Sequence, residues 1–205
     1  MKITHLISRV AAVTAFVILS IGAAVTPKVA TAQMNVPAYG QAWSPWGHSG
    51  LGTSHLTMAS YGCATTSTAM VLRYFGVGTD PGDLNTWLTC NGGYAWDGST
   101  RAYDLINWGR ASQRTGGIRW VGRWDWTWTA ADLGTVNYFL DRGIPVVTET
   151  RYGSARNYMH FVVLTGRSGS NYYMNDPIDG AKNISFNNRY GAPGRWIYSI
   201  QVYSR

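Results

Sequence analysis

The stretch MHFVVLTG, residues 159–166, is apolar at both of its alternating sets of positions. His160, Val162 and Leu164 would face one side of a strand, Phe161 and Val163 the other. A strand apolar on both faces is a central one, covered on both sides. Whatever fold the chain adopts must therefore supply a layer on each face of this strand. His160 is then expected where the sheet meets its helical cover.

The neighbouring patterns say what those layers are. Before residue 144 the spacing is helical. CATTSTAMVLRYFG starts a helix at Cys63, with Ala64, Thr68, Val71 and Phe75 on one face and Gly76 as its stop. A second helix is expected from Pro81 through GDLNTWL, a third over STRAYDLINWGRA, and a fourth over TAADLGTVNYFLDRG. In the fourth, Thr129 and Asp132 resemble a capping box and Gly143 closes the helix. After residue 144 the segments IPVVTET, YMHFVVLTG, NYYMND, KNISF and RWIYSIQVYS read as short strands. Helices followed by strands predict an α+β domain with a largely antiparallel sheet.

The N-terminal segment narrows the compartment. Lys2 and Arg9 precede an uncharged, mostly apolar run from Val10 to Val25, and Ala30 and Ala32 fit a signal-peptidase site. Residues 1–32 are read as a signal peptide, leaving 33–205 as one domain, secreted or associated with the cell wall. An uncleaved anchor is the other reading, although the run is short of the ~20 residues that span a bilayer. Loss of Lys2, Arg9 and Lys28 lowers the formal charge from +7 to +4, which suits an anionic surface and is no nucleic-acid footprint. Ten Trp and 13 Tyr exclude disorder and let aromatic side chains supply buried area.

Cys63 opens the first helix, where unpaired backbone N–H groups and the helix dipole favour a thiolate. A thiol enzyme of the usual kind needs a histidine base. Past residue 32 the candidates are His48, His55 and His160. The first two lie in a glycine-rich loop, whereas His160 lies on a rigid strand. Asn175 and Asp176 end the next strand, and alternation lets only one of them face His160. Asp176 is preferred because Pro177 ends the strand there. The Cys63 N–H and the Gln41 side-chain amide are candidate oxyanion donors. A core histidine and an Asp-Pro turn are the plain alternatives for His160 and Asp176.

Taken together these residues resemble the papain-like cysteine peptidases of the bacteriocin-processing type, in particular their stand-alone bacterial relatives. YGCATTSTAMVLRYFG resembles their nucleophile segment, MHFVVLTG and YYMNDP their His strand and Asn-Asp-Pro segment, and LNTWLTCNGGY a stretch between the two. The likeness covers roughly residues 39–177. It implies a papain-like fold with Cys63 as nucleophile, His160 as base, Asp176 as its orienting group and Gln41 as oxyanion donor. Ala64 stands where many relatives have glycine, and no transporter domain accompanies the peptidase segment, so the substrate stays open.

Other readings remain at this stage. In an oxidising compartment Cys63 and Cys90 would form a disulfide. The preferred reading keeps Cys63 free and makes Cys90 a buried or half-buried small side chain. RWVGRWDWTWT puts Trp124, Trp126 and Trp128 at period two in an extended segment. They would line the substrate cleft, pack on the sheet, or serve a non-catalytic module that binds cell wall or glycan. A cell-wall peptide amidase keeps the enzyme and changes the bond. The expected partner is a peptide or protein substrate, with the cell wall as a further candidate. The expected state is a monomer without cofactor, metal site, nucleic acid or stable membrane insertion.

Overall fold

In the computed structural model, residues 33–96, 103–153 and 158–205 are described. The signal peptide read over residues 1–32 lies outside them. In chain order the elements are α1 (Met58–Tyr61), α2 (Cys63–Tyr74), α3 (Pro81–Cys90), β1 (Tyr94–Trp96), β2 (Tyr103–Ile106), α4 (Trp108–Ala111), β3 (Arg119–Asp125), α5 (Leu133–Leu140), β4 (Val146–Tyr152) and β5 (Tyr158–Ser168). β6 (Asn171–Asp176), β7 (Ala181–Ser185), α6 (Phe186–Tyr190), α7 (Pro193–Trp196) and β8 (Ser199–Ser204) complete the chain. The main sheet has the order β3-β8-β4-β5-β6-β7, with every described pairing antiparallel. The α+β class expected from the sequence holds.

The central strand is β5, with His160 paired to Thr150 on β4. Both its faces are covered. On one, Trp108 of α4 meets Phe161 at 5.3 Å between ring centroids and its carbonyl accepts from the Tyr203 hydroxyl. On the other, Phe139 of α5 meets Trp124 at 5.1 Å. α2 runs beside β5, and the Ser67 hydroxyl donates to the Phe161 carbonyl.

α2 departs from its expected single buried face: Thr65 through Leu72 are buried without a break. A helix buried all round needs each polar side chain answered. Ser67 reaches β5, Thr68 returns to the Ala64 carbonyl, and Thr65 meets the Tyr94 hydroxyl at 2.9 Å, while the buried Thr66 hydroxyl is left without a partner among the described residues. α3 starts as expected, with Pro81 at its first turn and Asp80 accepting from the Asp83 N–H.

Three local expectations are corrected. The third helix is a strand where it is described: Tyr103–Ile106 pairs with Tyr94–Trp96, and Asn107 caps only the short α4 behind it. A nearby strand partner overrides the helical spacing. α5 is capped by Asp132, which accepts from Gly134 N–H and Thr135 Oγ1, while the Thr129 N–H is taken by the Trp126 carbonyl in a turn. RWIYSIQVYS divides, because Pro193–Trp196 forms a helical turn before β8 begins.

Gly62, between α1 and α2, is required by close approach and not by its dihedrals, since its φ is −78°. A Cβ there would lie 2.5 Å from the Met58 carbonyl oxygen and 2.9 Å from its Cα, and Met58 is fully buried. The Gly62→Ala change is therefore expected to destabilise the fold by about 1–3 kcal/mol, measured as a lower midpoint of urea unfolding. An unchanged midpoint would show that α1 can move away from α2.

Candidate active site

Cys63 is half-buried at the first position of α2. It opens into a cleft of about 890 Å³ that also receives Gln41, His160, Phe161 and Trp108. His160 Nε2 lies 2.8 Å from Asp176 Oδ1, so Nδ1 is the nitrogen left for the thiol. The Cys63 thiol shares the cleft with the same imidazole and favours its charged form. Tyr152 packs edge-on against the ring, 5.5 Å between centroids. Alternation along β6 works as expected: Asp176 takes His160, while Asn175 turns away to the Val36 and Pro37 carbonyls.

Asp176 is fully buried and saturated with donors. Its Oδ1 accepts from His160 and the Ile178 N–H; its Oδ2 accepts from the Tyr190 hydroxyl at 2.6 Å and Arg189 Nη1 at 3.0 Å. Arg189 is anchored in turn by both oxygens of Asp179. Burial alone would raise the Asp176 pKa, but the bond and charge of His160, then the Tyr190 and Ile178 bonds, hold it at about 2. Burial likewise opposes charge on His160, yet the bonds from Asp176 and Cys63 and their charges lift it to about 9. Burial and the Asp176 charge push Tyr190 upward, which keeps it a donor.

Gln41 is buried in the cleft wall, with Nε2 donating to the Ala59 carbonyl at 2.7 Å and its backbone N–H to the Pro177 carbonyl. One side-chain N–H is thus used and one left over. His48 and His55 are exposed and do not line the cleft. Cys63 and Cys90 are separate thiols, and Cys90 is exposed at the end of α3, against the expectation of burial.

The tryptophan row does not form a cleft wall among the described residues. Trp124 packs on Phe139, Trp126 is half-buried with its backbone N–H on the Tyr198 carbonyl, and Trp128 is 94% exposed. β3 ends at Asp125, so the period of two breaks before the row is complete. Its neighbours Arg123 and Thr127 face the cleft instead.

Sequence reasoning missed Arg189, Tyr190, Tyr152 and Glu149. Glu149 is buried in the cleft lining, paired across the sheet with Phe161, bonded by the Ser199 hydroxyl at 2.8 Å and flanked by Arg151 and Arg123 at 3.4 and 3.7 Å. No spacing signal announces any of the four. Among the described residues no His/Cys/Asp/Glu cluster fits a metal, and no helix is long and apolar enough to cross a membrane.

The two shifts set a pH window. His160, raised from 6.5 to about 9, contributes stability that is full below 6.5 and lost as pH rises through 9. Asp176, lowered from 3.8 to about 2, contributes stability that is full above 3.8 and lost as pH falls through 2. Thermal unfolding midpoints should be highest between these limits, and Asp176→Asn should flatten the profile on both sides. A parent profile already flat from pH 4 to 9 would contradict the pairing.

The residues around Cys63 and His160 are thus arranged as a thiol–imidazole–carboxylate row in a long cleft. The profile of the Peptidase_C39 like family matches residues 33–202. A crystal structure from Bacillus anthracis, described as that of a candidate C39-like peptidase, is similar in fold, with a TM-score of 0.51 at 18% identity. The match covers 88% of this chain and 99% of that one. No curated protein matches the chain. Its fold and the extent of the family match make this chain a member of the Peptidase_C39 like family.

Proposed function

We propose that the chain is a secreted cysteine peptidase that hydrolyses peptide bonds through Cys63, His160 and Asp176. The observation that carries this reading is the single imidazole held between a cleft-facing thiol and a buried carboxylate. No purely structural role calls for that alignment at the mouth of a cleft.

The steps follow from the geometry. His160 Nδ1 takes the Cys63 proton, and the thiolate sulfur attacks the scissile carbonyl carbon. The oxyanion forms against the Cys63 N–H and the spare N–H of Gln41 Nε2. As the tetrahedral species collapses, His160⁺ gives its proton to the leaving amine and a thioester remains. Water, losing a proton to His160, then attacks the thioester; collapse releases the acid and restores the thiol. Once it has taken the Cys63 proton, an imidazole lifted to about 9 by the bonds and charges of Asp176 and Cys63 keeps that proton at pH 7, ready for the leaving amine.

The cleft indicates what the substrate brings. Trp108, Phe161, Leu105, Met159 and Tyr158 supply apolar walls near the sulfur. A peptide with apolar side chains beside the scissile bond fits them. Residues 1–32 act in this reading as the export leader, and N-terminal sequencing of the exported protein should begin at Gln33.

The test uses a quenched fluorescent peptide library. Cys63→Ala and His160→Ala should lose at least about a thousandfold in turnover, while Gln41→Ala should lose about a hundred- to a thousandfold. Iodoacetamide should modify Cys63 of the parent rapidly at neutral pH and much more slowly in His160→Ala. Full hydrolysis by Cys63→Ala would sink the proposal.

A further inference from the structure

Asn175, Asp176 and Pro177 are consecutive, and each is tied to a different part of the site. Asp176 holds His160. The Pro177 carbonyl accepts the backbone N–H of Gln41 at 2.7 Å. Asn175, fully buried, binds the segment that leads to Gln41: its Nδ2 donates to the Val36 carbonyl at 3.0 Å and the Pro37 carbonyl at 3.3 Å.

The binding of that segment is a closed circuit. The β5–β6 ladder skips a residue at Thr165, freeing its carbonyl and hydroxyl from the sheet. The carbonyl accepts from Met34 N–H at 2.7 Å, and the hydroxyl donates to Asn183 Oδ1 at 2.9 Å. The Asn183 N–H, at a positive φ of 53°, donates to Asn175 Oδ1. The register of β6 and β7 is also interrupted between Met174 and Asp176, which leaves Asn175 out of that ladder. Val36 is fully buried beneath the circuit.

A second clamp lies beyond Gln41. The Trp43 ring is wedged between Gly40 and Gly180, where a Cβ on either would fall 2.3 Å from it. Gly180, at φ +74°, belongs to the turn that follows Asp176 and donates its N–H to the Asp176 carbonyl. Gln41 is therefore pinned on both sides to the one turn that also carries the His160 partner.

We infer that Asn175 and the strap of residues 34–37 are positioning elements for the oxyanion donor, setting Gln41 against Cys63 through the turn that carries Asp176. This rests on the reading of Gln41 as oxyanion donor. It divides the site into two separable halves. Cys63, His160 and Asp176 activate the sulfur; Asn175, the strap and Gln41 receive the charge that develops on substrate.

The two halves have different chemical readouts. Alkylation of Cys63 by iodoacetamide creates no oxyanion and needs only the activated sulfur. Peptide hydrolysis needs both. In the full chain, Asn175→Ala, Asn175→Asp and Val36→Gly are compared with the parent in both assays. Asn175→Asp keeps the acceptor for Asn183 and turns an oxygen on the two strap carbonyls, while Val36→Gly loosens the strap without touching Asn175. If Asn175→Ala does not fold, the other two carry the test.

The expected result is a fall in kcat of about ten- to a hundredfold with KM unchanged, and Cys63 alkylation within about twofold of the parent. Equal losses in both assays would mean a merely structural role and overturn the inference. Unimpaired hydrolysis by the Asn175 and Val36 variants, alongside a crippled Gln41→Ala, would overturn it while leaving the peptidase reading intact. Full activity of Gln41→Ala would instead remove the oxyanion reading on which it stands. A Cys63→Ala protein that still hydrolyses peptides would remove the peptidase reading as a whole.

Discussion

A carboxylate with no exposure to water stays charged only if the protein replaces the hydration it has lost. Asp176 is in that position, and much of the chain after it can be understood as the replacement. The turn at Ile178 returns one backbone N–H. α6, capped by Ser185, presents Arg189 and Tyr190 as adjacent donors, and Asp179 holds the guanidinium at its post. With those sites filled, the remaining partner is the imidazole. Its orientation toward α2 therefore follows from how completely the carboxylate has been enclosed.

A second buried carboxylate in the cleft lining obeys the same rule with a different outcome. Glu149, 4% exposed against none for Asp176, pairs on β4 with Phe161, the residue after His160, and it too is answered by a hydroxyl and by arginine. No imidazole shares it. A carboxylate that is balanced only by permanent cations fixes a wall, whereas one balanced partly by a histidine can take part in proton movement. The cleft is thus bordered by one carboxylate that shares a histidine and one that is held by a hydroxyl and arginines.

The thiol–imidazole–carboxylate row was largely legible because its carriers sit in strong local patterns. Cys63 opens a helix with clear start and stop signals, and MHFVVLTG could only be a central strand. Alternation then sent Asp176 and Asn175 to opposite sides, and the structure has Asp176 on His160 and Asn175 on the Val36 carbonyl. What escaped notice is held by contacts between distant segments. Arg189 and Tyr190 are ordinary in NNRYG until β6 is beside α6. Tyr103–Ile106 was misread because its strand partner, Tyr94–Trp96, is visible only in three dimensions. The tryptophan row misled because the period of two was taken to persist past Asp125, where the strand ends and the chain turns. Asn175 was weighed only as a rival to Asp176, yet it bonds the strap, a connection spanning well over a hundred residues that no local pattern records.

The position of β8 has a consequence for how the molecule comes into being. This strand, Ser199–Ser204, lies near the C-terminal end of the sequence, yet it is inserted between β3 and β4. Until it arrives, β3 has no neighbour in the sheet and Glu149 lacks its hydroxyl from Ser199. A chain that emerges N-terminus first can assemble α2 against β4 and β5 early, but its sheet keeps an open gap with two unsatisfied edges. Closing that gap demands contacts between residues far apart in sequence, which form slowly. The nascent protein therefore presents Cys63 before β3, whose Arg123 lines the cleft, has a strand to pair with. Pairing of the last strand is the event that joins β3 to the rest of the sheet.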